Sequence, residues 1–98
     1  MESINLIASD PKVRRGRQHV VGTSVTVADV AIAHIYHNQD ADGIAEWYAL
    51  SLSQVYAALS FYYDHKSEID EQIRAQIRHA EELEEIRIGN SAARGLNP

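Results

Sequence analysis

At 98 residues, 45% hydrophobic and 23% charged, the chain has the length of one small domain and too much apolar content to be disordered. It contains no cysteine, which excludes disulfides, thiolate zinc sites and a cysteine nucleophile. Its net charge of -5 argues against a dedicated nucleic-acid binder, whose basic excess neutralises phosphates.

The charge is unevenly spread. From Met1 to Gly22, Lys12, Arg14, Arg15 and Arg17 face only Glu2 and Asp10. From Thr23 to Asp64 there is no lysine or arginine, and from His65 to Pro98 five bases face seven acids. Any basic footprint therefore belongs to the first segment. Glu2 and Asn5 interrupt the only early apolar run, so no secretory leader is expected. No stretch approaches the roughly 20 apolar residues of a membrane span, and a cytoplasmic protein without membrane partners is the expectation.

Ile4, Leu6, Ile7 and Ala8 before Asp10-Pro11 predict a short strand ending at a turn. Gln18 to Gly22 is the return strand, and the loop from Pro11 to Gly16 carries the basic residues at the hairpin end. That loop reads either as a solvated turn or as an arm that touches phosphate or an acidic partner. Residues 1–25 thus form a β-hairpin arm.

Thr26 and Asp29 make the T-x-x-D pattern of a helix start. Val27, Val30, Ala31, His34 and Ile35 then recur at helical spacing, and the first helix is expected to end near Asn38. His34 and His37 lie one turn apart with only Asp40 as a nearby carboxylate. Without a clear third ligand they read as edge histidines, and no metal site is assigned.

Asp40 caps a second helix, Ala41 to Tyr48, with Ile44, Trp47 and Tyr48 expected inward and Glu46 in water. Ser51-Leu52-Ser53-Gln54 is an S-x-x-Q capping box that opens a third helix through about His65. Leu52, Val55, Leu59 and Tyr62 or Tyr63 should line its buried side. Two helices of about 8 and 14 residues joined by a short turn are the layout of a helix-turn-helix unit. The first helix completes a three-helix core over residues 26–66. In a DNA-binding version the third helix enters the major groove, where Ser53 and Gln54 could read base edges. A structural or protein-binding role for this helix is the alternative, since no Arg or Lys accompanies them before Lys66.

Ser67 and Asp70 repeat the cap pattern, predicting a fourth helix from Glu68 to Ile88 that stops at Gly89-Asn90. Ile69, Ile73, Ile77, Ala80, Leu83 (or Glu84) and Ile86 or Arg87 form a narrow stripe flanked by charge. Such a stripe on so long a helix is expected to pack on a second protomer or a partner, with folding back on its own domain as the alternative. The fold expected is mainly α, a single domain over residues 1–90 whose C-terminal helix spans residues 67–89. Residues 91–98 read as a disordered tail.

An early Ile strand and Asp-Pro, then Gly16, Val20, Gly22-Thr23, Val25, Val27, Ile44-Ala45-Glu46, Leu50-Ser51, Val55-Tyr56-Ala57-Ala58-Leu59 and Tyr62-Tyr63 follow one another in a familiar order. Over about residues 4–75 this order resembles domain-of-unknown-function family 433. The resemblance implies a homeodomain-like helix-turn-helix core behind a small β-hairpin. It also implies a VapB-like antitoxin: a homodimer that binds a PIN-type ribonuclease toxin and its own operator DNA. The chain departs from the family pattern at Val21 and Ser24, where arginines flank the Gly-Thr pair, and at His19, where proline is usual. The acidic pair opening the second helix is reduced to Asp42 before Gly43.

Two functions follow as expectations. One is an antitoxin-like protein whose C-terminal stripe of Ile69, Ile73, Ile77, Ala80 and Leu83 binds a toxin. In that reading Lys12, Arg14, Arg15, Arg17, Ser53 and Gln54 contact DNA. The other is a stand-alone helix-turn-helix transcriptional regulator. No enzyme and no cofactor are expected, since the chain has no Gly-rich phosphate loop, no H-E-x-x-H and no spaced Ser-His-Asp set.

Overall fold

A computed structural model describes residues 5–93, with side chains from 5 to 89. Two short strands pair antiparallel, β1 (Ile7–Ala8) with β2 (His19–Val20), in the register Ile7 to Val20 and Ala8 to His19. They are shorter than expected because β2 is soon claimed from its other side. The Val20 N–H donates to the Val25 carbonyl at 2.9 Å and the Val27 N–H to the Gln18 carbonyl at 2.9 Å. The chain can fold back this tightly because Gly22 adopts φ 81.

Helix α1 (Val27–Ile35) starts where the T-x-x-D pattern places it. Thr26 Oγ1 accepts the Asp29 N–H at 3.0 Å, and Asp29 Oδ2 accepts the Thr26 N–H at 3.1 Å. The helix ends before Asn38, which sits in the left-handed region at φ 54, while the Gln39 N–H returns to the Ala33 carbonyl at 3.1 Å.

Helix α2 (Ala41–Tyr48) is capped by Asp40, whose carboxylate accepts the Gly43 N–H at 2.8 Å. Its inward arc is Ala41, Ile44, Ala45 and Tyr48. Trp47, expected inward, falls on the outer flank of that arc and is 73% exposed. Helix α3 (Leu52–Asp64) opens with the Ser51–Gln54 capping box and buries Val55, Ala58, Leu59 and Tyr62. Leu52 and Tyr63 are exposed, contrary to expectation for Leu52, while Leu50 in the preceding turn fills the core instead. The turn between α2 and α3 completes the helix-turn-helix unit.

Only His65 separates α3 from helix α4 (Lys66–Ala93). Two expectations fail here. Asp70 does not cap Ser67; it accepts from the Tyr62 hydroxyl at 2.7 Å and from Lys66 Nζ at 2.8 Å. The helix also runs through Gly89 to Ala93, because a lone glycine ends a helix only when it turns left-handed, and Gly89 has no positive φ. Residues 91–93 of the expected tail are therefore helical, and the rest of it lies outside the described residues.

The core sits where α1, α3 and the first turns of α4 meet over β2, with Val20, Val30, Val55, Tyr62, Ile69 and Ile73 almost wholly buried. At 28 residues α4 is about 42 Å long, far longer than the core it crosses. The molecule is accordingly elongated, 65 × 28 × 24 Å.

Candidate functional site

The hairpin loop is built by short-range polar bonds. Asp10 accepts the Lys12 N–H on its side chain at 2.9 Å and the Val13 N–H on its carbonyl at 2.8 Å, and Ser9 Oγ donates to the Gly16 carbonyl. The loop then turns left-handed over three successive residues, Arg14 at φ 46, Arg15 at φ 60 and Gly16 at φ 80. Gly16 adopts this freely, whereas each arginine costs about 1–2 kcal/mol there.

The bases of this arm divide into two kinds. Arg14 donates to Asp29 Oδ2 at 3.0 Å and to the Ser24 carbonyl at 3.2 Å, so the carboxylate that completes the α1 cap also holds the loop. Arg17 donates to Gln76 Oε1 at 3.2 Å. Next to it, Gln18 donates to Glu68 at 2.8 Å and accepts from Gln72 at 3.0 Å, so three neighbouring turns of α4 grip the base of the hairpin. Lys12 and Arg15 are exposed, and neither side chain has a hydrogen-bond or ion-pair partner among the described residues.

Arg14, Arg15 and Arg17 line one cleft of about 280 Å³ together with His79 of α4. His79 escaped the sequence reading. It lies in a distant helix, brought to the arm by the Gln18 bonds to Glu68 and Gln72 and by the Arg17–Gln76 bond, one turn before it. Ser53 and Gln54 stand apart from this group: the arm is bonded to α1 and α4, and no hydrogen bond among the described residues joins it to the start of α3. Gln54 Oε1 accepts the Ser51 N–H at 2.7 Å. One lone pair of that oxygen is thus held by the α3 cap, which competes with the bidentate contact an adenine needs.

The apolar stripe of α4 splits at Gln76. Ile69 and Ile73, assigned to a partner surface from sequence, are 0% and 1% exposed within the chain's own core and cannot face a partner. The reason is geometric: α4 leaves α3 after one residue, so its first turns must lie back across α1. Ile77 and Leu83 are 39% and 54% exposed, and every residue from Ile77 to Gly89 is exposed. Ile86, at the end of the predicted stripe, and Ile88, outside it, are exposed as well. Between Ile77 and Gly89 four acids face two arginines, and Arg87 pairs with Glu84 within the helix.

A second apolar region lies at the other end of the core. Exposed Trp47 lines a cleft of about 300 Å³ together with Ile32, His37, Gln39 and Tyr48, and Ile35 and Tyr36 at the end of α1 are exposed as well. His34 Nδ1 lies 3.0 Å from the Gln39 carbonyl, so this histidine serves the α1–α2 connection. Among the described residues no group of three His, Asp or Glu side chains could hold a metal ion. No helix among them is long and apolar enough to cross a membrane.

Two phenols, one carboxyl and one ammonium have shifted proton affinities, the Lys66 ammonium being raised by its hydrogen bond to Asp70. Burial pushes the Tyr48 phenol up, reinforced by the Asp29 charge and opposed by Arg14. Burial and the hydrogen bond to Asp70 raise Tyr62. The Lys66 hydrogen bond, then that of Tyr62, holds the Asp70 carboxyl below its ordinary 3.8.

A two-stranded hairpin packed on a core of short helices, with a long acidic helix running beyond it, defines a small mainly helical protein. The chain belongs to the family described as protein of unknown function (DUF433), whose profile matches residues 7–62. The match runs from β1 to Tyr62, so α4 lies outside it. No curated protein and no solved structure matches the chain.

Proposed function

We propose that this chain is an antitoxin-like protein that forms a homodimer and binds a partner ribonuclease of the PIN type through the outer half of α4. The observation that carries the reading is the run from Ile77 to Gly89, a helix exposed on all sides that still carries Ile77, Leu83, Ile86 and Ile88. A lone helix with apolar residues in water gains most by folding onto another surface. Its acidic excess suits a basic ribonuclease, because complementary fields speed encounter. Ile77, Ala80 and Leu83 are the contact residues, and Ile69 and Ile73 support the helix from within the core. In this reading the protein is cytoplasmic and performs no catalysis.

The test is co-expression with the product of the adjacent gene, followed by pull-down and inhibition of its nuclease activity. Leu83→Glu should abolish the complex while leaving the isolated protein folded. Failure of any small neighbouring gene product to bind would sink the reading.

A second reading, a stand-alone transcriptional regulator, draws on Lys12 and Arg15, two exposed cations with no partner among the described residues. It requires affinity for the protein's own promoter that falls steeply with salt and weakens when Lys12 and Arg15 are replaced by Ala. No retardation of promoter DNA at low salt would eliminate it.

A further inference from the structure

The arginine cleft is a more specific object than a basic arm. Its residues come from two elements joined by the Arg17–Gln76 and Gln18–Gln72 bonds, so the cleft exists only in the folded chain. Arg14 is neutralised by Asp29, and Arg15 and Arg17 have no carboxylate partner among the described residues. Arg15 is also held at φ 60, a backbone state natural to Gly, Asn or Asp. A turn selected for stability alone would place one of those residues there; strain kept at a bulky charged residue points to a task for its side chain. Two guanidinium groups exceed what a single carboxylate needs. They suit a phosphate, whose several oxygens accept from fork-shaped donors at once.

We propose that the cleft between the hairpin loop and α4 is a phosphate-binding site, in which Arg15, Arg17 and His79 donate to phosphate oxygens and Arg14 fixes the wall. The phosphate comes either from a nucleic-acid backbone or from a small phosphorylated molecule. The first source rests on the DNA-binding part of the reading above; the site itself does not, and neither depends on a toxin.

Two probes are titrated into the full chain. Inorganic phosphate at low ionic strength is followed by the NMR signals of the His79 ring and of the Arg17 guanidinium, the latter being the readout in His79→Gln. A fluorescent duplex, with the promoter sequence or a scrambled one, is followed by anisotropy. Arg15→Asn removes the cation while keeping a residue suited to the left-handed turn, Arg15→Lys keeps the charge, and His79→Gln alters an exposed helix position. Phosphate should shift the His79 signals saturably, and Arg15→Asn should weaken it by about tenfold or more, with Arg15→Lys restoring part of the loss. If nucleic acid is the source, both duplexes weaken equally and the salt slope falls by about 1. If a small molecule is the source, phosphate binding weakens while duplex binding is unchanged, which supports the site and removes the DNA-binding part of the reading above. Should Arg15→Asn fail to fold, His79→Gln decides the matter. Absence of a saturable phosphate shift, or a shift indifferent to Arg15→Asn and His79→Gln, overturns the proposal.

Discussion

The Tyr62 hydroxyl, on the last buried turn of α3, donates to Asp70 Oδ1 of α4 at 2.7 Å. This bond and Lys66, which donates to the other Asp70 oxygen at 2.8 Å, fix the angle at which α4 leaves the core after a one-residue connection. Tyr62→Phe keeps the packed ring and removes the bond, so it should cost about 1 kcal/mol in urea unfolding near neutral pH.

The same carboxyl sets an acid dependence. Its folded-state proton affinity lies below the ordinary value of 3.8, mainly through Lys66 and then through Tyr62. A lowered carboxyl contributes stability that is fully present above the unfolded value and lost as pH falls through the folded one. Urea midpoints should therefore drop as pH falls below the ordinary aspartate range, and Asp70→Asn should flatten that part of the curve. An unchanged acid limb in Asp70→Asn would show that other carboxyls govern it.

Thr26 is fully buried, and its cap partner Asp29 also binds Arg14. Thr26→Ala should destabilise by about 1–2 kcal/mol, at the upper end of the range for caps, and Thr26→Ser should restore most of it. Thermal unfolding of the two variants side by side measures the difference.

The two halves of α4 should respond oppositely to truncation. Ile69→Ala and Ile73→Ala each leave a cavity in the core and should cost about 2–5 kcal/mol. Leu83→Ala, on the exposed half, should stay within about 0.5 kcal/mol of the parent protein when no partner is present. Chemical denaturation distinguishes them directly, and a large loss for Leu83→Ala would mean that the outer helix is already packed in solution.

Ala49 closes α2 at φ 55, where alanine carries a steric cost that glycine lacks. Glycine loses more chain entropy on folding, so Ala49→Gly should stabilise by a net amount of only about 0.5–1 kcal/mol. A rise in Tm confirms it; a fall would place the entropy loss above the strain.

Local chemistry was legible from the chain. Thr26, Asp40 and Ser51 each bond the backbone N–H three residues ahead, so their caps marked three helix starts without knowledge of anything distant. Helix ends were less legible. Asn38 stopped α1 early and Gly89 failed to stop α4, because a left-handed terminus depends on what the following residues can pack against. Facing was misread for Trp47 and Leu52, whose apolar character says that they prefer burial and not which flank of the helix the core will occupy.

The sequence by itself determined the order of the elements, the places where three helices begin and the confinement of a local basic excess to the first 22 residues, since these follow from composition and from interactions within a few residues. Only the tertiary structure decided that Ile69 and Ile73 close the chain's own core while Ile77 and Leu83 stay in water, because that division depends on where α4 leaves α1. It alone decided that His79 joins Arg14, Arg15 and Arg17, through a bond between residues 17 and 76 that no local pattern encodes.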